Sequence, residues 1–553
     1  MALGFLVSLV PTGFSLAYRD GEGVFHELVS DYFATAGDDR VTVEVAYDGE
    51  VGRVQLRVNS GAVDCELFSI GMRHSFPNDE LVLFNGYQSW TDTRKVSAWK
   101  RVRGLRGVPK PLVDRFALDG GGDYRFTDYS GIPGCHHGWT YATFSRGDDT
   151  ALVGALDETN GFLFISSDAS AGVVSLQPEC PARTLMAGEC VELSSFAIVQ
   201  GAEEYCYDRW FELRCLKARP VKPLLGYTSW YRHYDQIDEA KLIDDLAGLS
   251  VFMGEPPFSE QLGVQPGESG SDAFDVAFQI DDGYCTVGDW LSVDTDKFPH
   301  GLAPLAAVAS DLGFVPGLWL APFVCSKESH LYAAHPEWLL KDENGEYVST
   351  GSHWRGAYAL DTRNPEVRTY VLEVLQTATQ EWGFKLLKLD FLYAACLQVH
   401  GGLNRGQLMA DAMDLLRRGA DEDCLLLGCG VPLGSAAGKV DYCRIGCDVG
   451  LDWDDAPPMR LLHRERVSTK NSLGNTYGRA WLDGRAFGND PDVFFLRGDD
   501  VKMTEGQRDE LLFADAVSGS VLLTSDDMGK WTPQMQRQYK AAVNVFLERK
   551  LGA

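Results

Sequence analysis

Over the first 200 residues, apolar and polar positions alternate in short bursts. VTVEVAY (41–47), GRVQLRV (52–58), ELVLFNG (80–86), ALVGAL (151–156) and GFLFISS (161–167) are separated by Gly- and Asp-rich turns. A period of two puts one face of each strand on a core, and many such strands predict an antiparallel β-sandwich. The apolar opening MALGFLVSLVPTGFSLAYRD reads as its first strand. No basic residue precedes Arg19, so a signal peptide lacks its charged start. In AEEYCYDRWFELRCLKA (202–218) the spacing lengthens to a helical one, and this helix is expected to join two units. After Pro220, apolar runs alternate with helical segments. The runs are LLGYTSW, VAFQIDDGY, VPGLWLAP, FKLLKLDFL, CLLLGCG, DYCRIGCDVG, RAWLDGRAFGND and GSVLLTSDD. Eight strands alternating with helices predict a (β/α)8 TIM barrel, its seventh strand the least regular. The expected domains are a β-sandwich over 1–200, a helical connector over 201–222 and a catalytic barrel over 223–553. MGEPPFSEQLGVQPGESGSDA (253–273) reads as a loop on the barrel's N-terminal face.

Charge narrows the partners. The formal net charge is −29, which repels phosphates and so argues against nucleic acid and anionic membranes. Thirteen cysteines, an odd number without CxxC spacing, suit reduced thiols and a cytoplasmic setting better than a disulfide framework. The oligomeric state is not legible.

The chemistry concentrates at strand ends. In FKLLKLDFLY, Lys388 and Asp390 are two apart and face the same side of a strand. At the C-terminal end of a barrel strand that side is the mouth, where barrel enzymes act. QIDDGY brings Asp281 and Asp282 there, RIGCDVG brings Arg444 and Asp448, LWLAP brings Trp319 and GYTSW brings Trp230. Carboxylates with aromatic faces suit a sugar. Two carboxylates around one bond suit glycoside hydrolysis without a cofactor. Lys388 is expected to keep Asp390 ionised as the nucleophile. Apolar neighbours are expected to favour the protonated form of Asp448 as the acid. Arg444 is expected to contact substrate or the nucleophile region. A metal-hydrolase reading of Asp281, Asp282 and Asp390 lacks an HExxH or compact His/Cys set. HH (136–137) is expected in a loop, DGGGD (119–123) as a plain glycine turn, and SDD (525–527) as a helix N-cap.

QIDDGY with GDW downstream, LWLAPF, KLDFLY, LGCGVPL, RIGCDVG and NDPD follow one another in the order seen in glycoside hydrolase family 36 α-galactosidases of clan D. The chain resembles the shorter bacterial members over roughly residues 80–530. The resemblance implies a retaining hydrolase of terminal α-galactosides, with Asp390 as nucleophile and Asp448 as acid/base. It places Asp281 and Asp282 on sugar hydroxyls, Lys388 and Arg444 near the sugar or nucleophile, and Trp319 on the wall. Cys429 and Gly430 would line the floor. Trp90, in NGYQSW of the first domain, would close the pocket, and Trp354, in SHWRGAYALD, would sit on the approach to the fourth strand. The family's C-terminal β domain is expected to be missing. The alternative on the same scaffold is an α-N-acetylgalactosaminidase, with a transglycosylase or a sugar-binding pseudoenzyme behind it.

Overall fold

A computed structural model describes residues 8–116, 118, 123–254, 273–351, 353–457, 460 and 464–551. The expected loop at 253–273 and the glycine turn at 119–123 lie almost wholly outside them. Within the described residues, alternation produces two facing antiparallel sheets. One runs Phe25–Ser30, Val10–Asp20, Ala62–Arg73, Val173–Pro178, Leu163–Asp168, Cys135–Trp139. The other centres on Val41–Tyr47, Val51–Val58, Cys190–Gly201, Asp149–Ala155 and Tyr141–Arg146. Phe14, Leu16, Phe68 and Ile70 of the first meet Val54, Leu56, Phe144 and Val153 of the second in one apolar core. Residues 135–139 are strand rather than the expected loop. His136 Nε2 donates to the Ala98 carbonyl (2.8 Å), and His137 stacks on Tyr129 while bonding Asp123 (2.9 Å).

The second sheet is buried on its outer face as well. Tyr141, Leu152 and Val199 point away from the sandwich core and pack with Cys206, Tyr207, Trp210 and Phe211. Those four residues lie on the connecting helix Glu203–Arg214, which ends at Cys215 in the left-handed region (φ 54°). The same apolar cluster continues into the barrel, so the outer face of the second sheet, the helix and the barrel share one core, apart from that between the two sheets.

The barrel strands are Leu224–Thr228, Asp275–Ile280, Val315–Leu320, Leu386–Leu389, Leu425–Gly428, Tyr442–Arg444, a broken seventh and Val521–Thr524, all parallel. RAWLDGRAFGND is strand only at its end. Ala480–Leu482 is a 3-10 turn, Gly488–Asp490 pairs with the sixth strand, and Val493–Phe494 pairs with the eighth. Pro491, which has no N–H to give a ladder, and Asp492, at φ 96°, form the break. The two pieces end the strand order on either side, so the sheet closes on itself through this kink. A small three-stranded antiparallel sheet (Val324–Ser326, Ser349–Gly351, Ala357–Ala359) is inserted after the third strand and carries Trp354.

Candidate active site

Parallel pairing sets the register of the mouth. Lys388 lies between Trp319 of the third strand and Leu427 of the fifth, and Arg444 lies beside Asp490. One residue past the fourth strand, Asp390 sits 8% exposed. Its Oδ2 accepts from Trp319 Nε1 (3.0 Å) and its Oδ1 from the Phe391 backbone N–H (2.8 Å). Phe391 turns back through φ 54°, a conformation that costs a β-carbon-bearing residue about 1–2 kcal/mol and aims that N–H at the carboxylate. Burial pushes the Asp390 pKa up, against the charge of Lys388 and a hydrogen bond from the Cys429 thiol.

Lys388 does not pair with Asp390, as the sequence suggests, but with Asp281, Nζ to Oδ2 at 2.7 Å. Burial opposes its charge, yet the carboxylates around it, Asp281 foremost, outweigh burial and raise its pKa. Asp281 is pinned further by its backbone N–H on Ser229 Oγ (2.9 Å) and by the Asp282 N–H on its own Oδ1 (3.0 Å). Asp282 Oδ2 accepts from Trp354 Nε1 (2.8 Å). Burial first, then the Asp281 charge, raise the Asp282 pKa to about 6, with the Trp354 hydrogen bond working against them. Trp354 reaches Asp282 from a left-handed turn (φ 49°) and packs on Trp319 and Phe391. Outside this wall a cleft of about 720 Å³ opens between Asp235, Lys297, Glu328 and Trp354.

Asp448 differs from Asp390 in kind. Its side chain is 46% exposed, so it is not desolvated among apolar neighbours as expected. Arg444, buried and in its strand, donates to Asp448 Oδ1 (2.7 Å) and is ion-paired with Asp492 Oδ2. Arg444 is therefore committed to Asp448 and Asp492 rather than to Asp390. Asp492 also accepts from Tyr231 Oη and from Val449 N–H (2.9 Å), and burial raises its pKa to about 7 against the Arg444 charge. Sequence reasoning missed Asp492 and Tyr231, although both adjoin quoted motifs: Asp492 ends NDPD, and Tyr231 follows GYTSW. Trp230 itself packs on Tyr234. His353 at the rim, also missed, feels both Asp448 and Asp390. The surrounding protein lowers its pKa even though the side chain reaches solvent.

The first domain enters the mouth through residues 85–94. Trp90 Nε1 donates to Cys429 Sγ (3.2 Å), and its ring meets Phe391 and Tyr393 edge-on at 4.9 and 5.7 Å. Gly430 explains the fit. Its φ is 57°, and a Cβ there would stand 2.9 Å from Trp90 Cζ2 and 3.1 Å from Phe391 N. Arg479, fully buried, anchors the loop by donating to Asn85 Oδ1 (3.0 Å), the carbonyls of Gln88 (3.1 Å) and Ser89, and that of Ile445 (2.8 Å). Thr93 N–H donates to Asn475 (2.6 Å), and Arg464 to Asp92 (2.6 Å). Trp90, Cys429, Gly430, Trp319, Lys388, Asp390 and Phe391 thus converge across two domains. Ser525 and Asp526 are absorbed in closing the barrel, on Thr228 O, Leu496 N, Arg497 and Trp531, while Asp527 caps the turn that follows. Among the described residues no three His, Cys, Asp or Glu side chains group to hold a metal ion, and no helix is long and apolar enough to cross a membrane.

Residues 274–396 match the Melibiase family model. The chain is similar to alpha-galactosidase AgaA of Geobacillus stearothermophilus, 33% identical over 110 residues, which cover 20% of this chain and 14% of that protein. It is also similar to the probable alpha-galactosidase C of Aspergillus flavus, 30% identical over 235 residues, covering 38% and 27%. The aligned segments thus span well under two thirds of these curated relatives. In three dimensions the chain is similar to TtGalA, an alpha-galactosidase from Thermus thermophilus solved in complex with stachyose. The TM-score is 0.70 at 25% identity, covering 92% of this chain and 99% of that one. It shares the fold of the GH36 alpha-galactosidase AgaB from Geobacillus stearothermophilus, with a TM-score of 0.61 at 13% identity, covering 99% and 78%. The chain resembles the family 36 α-galactosidases in its barrel motifs and in its sandwich-plus-barrel fold.

Proposed function

We propose that this chain is a retaining α-galactosidase with Asp390 as nucleophile and Asp448 as acid/base. The observation that carries the reading is a pair of carboxylates in opposite settings at one barrel mouth. Asp390 is buried and fixed by donors at both oxygens, whereas Asp448 is half exposed and tethered to Arg444. Asp390 attacks the anomeric carbon while Asp448 gives its proton to the departing oxygen. A β-galactosyl ester forms on Asp390, and Asp448 then takes a proton from water that attacks from the face the leaving group vacated. Asp281, Asp282 and Lys388 bind hydroxyls, while Trp319, Trp354 and Trp90 form the wall. TtGalA, the similar enzyme above, has been solved with stachyose and with p-nitrophenyl α-D-galactopyranoside, which supports α-galactosides as the substrate class. All thirteen cysteines are free thiols, which supports a reducing, cytoplasmic setting.

The test is paired hydrolysis of 4-nitrophenyl α-galactoside and 4-nitrophenyl α-N-acetylgalactosaminide, by the wild type and by Asp390→Ala. Turnover of the galactoside, lost in the variant, with the α-anomer as the first product by NMR, is the expected result. Preference for the amino sugar moves the specificity to the acetamido substrate. Turnover of neither overturns the hydrolase reading.

A further inference from the structure

One oxygen at the back of the site gathers more partners than a structural ion pair needs. Asp492 Oδ2 is ion-paired with Arg444, accepts from Tyr231 Oη, and accepts from Val449 N–H at 2.9 Å. Arg444 is the residue that grips Asp448 Oδ1, and Val449 is the residue after Asp448. The side chain and the backbone of Asp448 are thus tied to a single carboxylate oxygen, one from each direction. Asp492 is held in turn: its N–H donates to Asp490 Oδ1 (2.9 Å), and its φ of 96° fits the kink of the broken seventh strand. Asp448 needs such a tether, because at 46% exposure packing has little hold on it.

We propose that Asp492 is a positioning residue for Asp448, dividing the Arg444 guanidinium between two carboxylates so that Asp448 is aimed at the leaving oxygen. The role rests on the hydrolase reading above. With Asp492 neutral, Asp448 is the one carboxylate still ion-paired with the buried guanidinium among the described residues, and the guanidinium turns towards it. Asp448 is then drawn off its line to the leaving oxygen and delivers its proton less well. The loss falls on substrates whose leaving group needs that proton and spares those whose leaving group departs as a stable anion. Tyr231 acts from the other side by fixing the shared oxygen.

The experiment compares kcat/KM for 4-nitrophenyl α-galactoside, with its acidic leaving group, and for melibiose, whose leaving group is an alcohol. The proteins are the wild type, Asp492→Asn and Tyr231→Phe, each checked for wild-type Tm. Asp492→Asn is expected to lose about 100-fold on melibiose and no more than about threefold on the aryl galactoside. Tyr231→Phe should follow in the same sense and more weakly. Equal losses on both substrates overturn the positioning role and leave the hydrolase reading standing. A wild type idle on both overturns the reading and this role with it. If Asp492→Asn does not fold, Tyr231→Phe decides alone: an unchanged ratio of the two substrates overturns the proposal.

Discussion

Replacing Trp319 with Phe isolates one hydrogen bond at Asp390, the proposed nucleophile. The ring stays, between Trp290 and Trp354, but the Nε1–H that meets Asp390 Oδ2 at 3.0 Å is gone. A hydrogen bond to a charged partner stabilises it by about 1.5–3 kcal/mol. Each pKa unit corresponds to about 1.4 kcal/mol, so losing a bond that favours the anion raises the Asp390 pKa by roughly one to two units. In the proposed reaction Asp390 attacks as the anion, so activity falls as pH drops through its pKa. Burial already holds that pKa above the ordinary aspartate value. The acid limb of kcat/KM for 4-nitrophenyl α-galactoside should therefore begin above the usual carboxylate range in the wild type and move further up in Trp319→Phe. At a pH well above both limbs the two enzymes should differ far less. A limb that stays in place, or moves down, would refute either Asp390 as the anion that sets the limb or the hydrogen bond as its stabiliser. Asp390→Asn, inactive at every pH, supplies the baseline.

Further outcomes follow from the same geometry. Asp282 titrates near 6, and its anion is the better hydroxyl acceptor, so KM for galactosides should rise as pH falls from about 7 to about 5; a flat KM removes Asp282 from the binding site. Gly430→Ala adds a Cβ 2.9 Å from Trp90 in a left-handed backbone, which should cost about 1–2 kcal/mol in urea unfolding and weaken galactoside binding by pushing Trp90 aside. Asp515 is buried with no hydrogen-bond partner for either oxygen among the described residues, and burial raises its pKa well above the free value. The folded state therefore binds this proton more tightly than the unfolded one, and stability falls as pH rises from the unfolded pKa towards the folded one. Asp515→Asn should melt higher than the wild type near neutrality, and the two should converge in acid; a gap that widens in acid contradicts that sign.

The sandwich was legible from alternation, which burial reproduces in Val51–Val58 and Val173–Pro178, and the barrel from short apolar runs between helices, whose strands are buried almost throughout. The same logic placed Lys388, Asp390, Trp319, Asp281 and Arg444, since a strand-end position fixes which way a side chain points. What periodicity cannot supply is pairing. Alternation shows that Lys388 and Asp390 face the same side, but not that the Lys388 side chain reaches across the third strand to Asp281 instead of along its own strand to Asp390. Arg444 went to Asp448, four residues on in its own chain, and to Asp492 in the kink of the seventh strand. Asp492 was hidden because it belongs to no regular strand: it sits in the kink after Pro491, where alternation gives no direction. Tyr231 was hidden behind the larger signal of Trp230. His136 and His137 read as loop because Gly residues flank them, yet sheet pairing with Ser166 and Ser167 overrode that local cue.

The pairing also bears on why the surroundings of Asp390, the proposed nucleophile, are built as they are. Both cations at the mouth are committed to other carboxylates, Lys388 to Asp281 and Arg444 to Asp448 and Asp492. Asp390 is left to neutral donors: the Trp319 indole, the Phe391 amide and the Cys429 thiol. A direct ammonium contact would stabilise the resting anion strongly, and that stabilisation would be lost as the charge moved onto the sugar, raising the barrier to attack. Neutral donors orient the carboxylate while holding its charge less tightly. They are also placed by three separate parts of the chain: the third strand, the turn after the fourth, and a fifth-strand cysteine that itself accepts from Trp90 of the first domain. Trp90 therefore bears on Asp390 through the Cys429 thiol as well as through the pocket wall. On this account, Cys429→Ser, which puts a stronger donor beside Asp390 at the same position, should lower the acid limb and also lower kcat on its plateau. An acid limb that drops with kcat unchanged would show that the charge on Asp390 is not what the neutral donors are there to keep free.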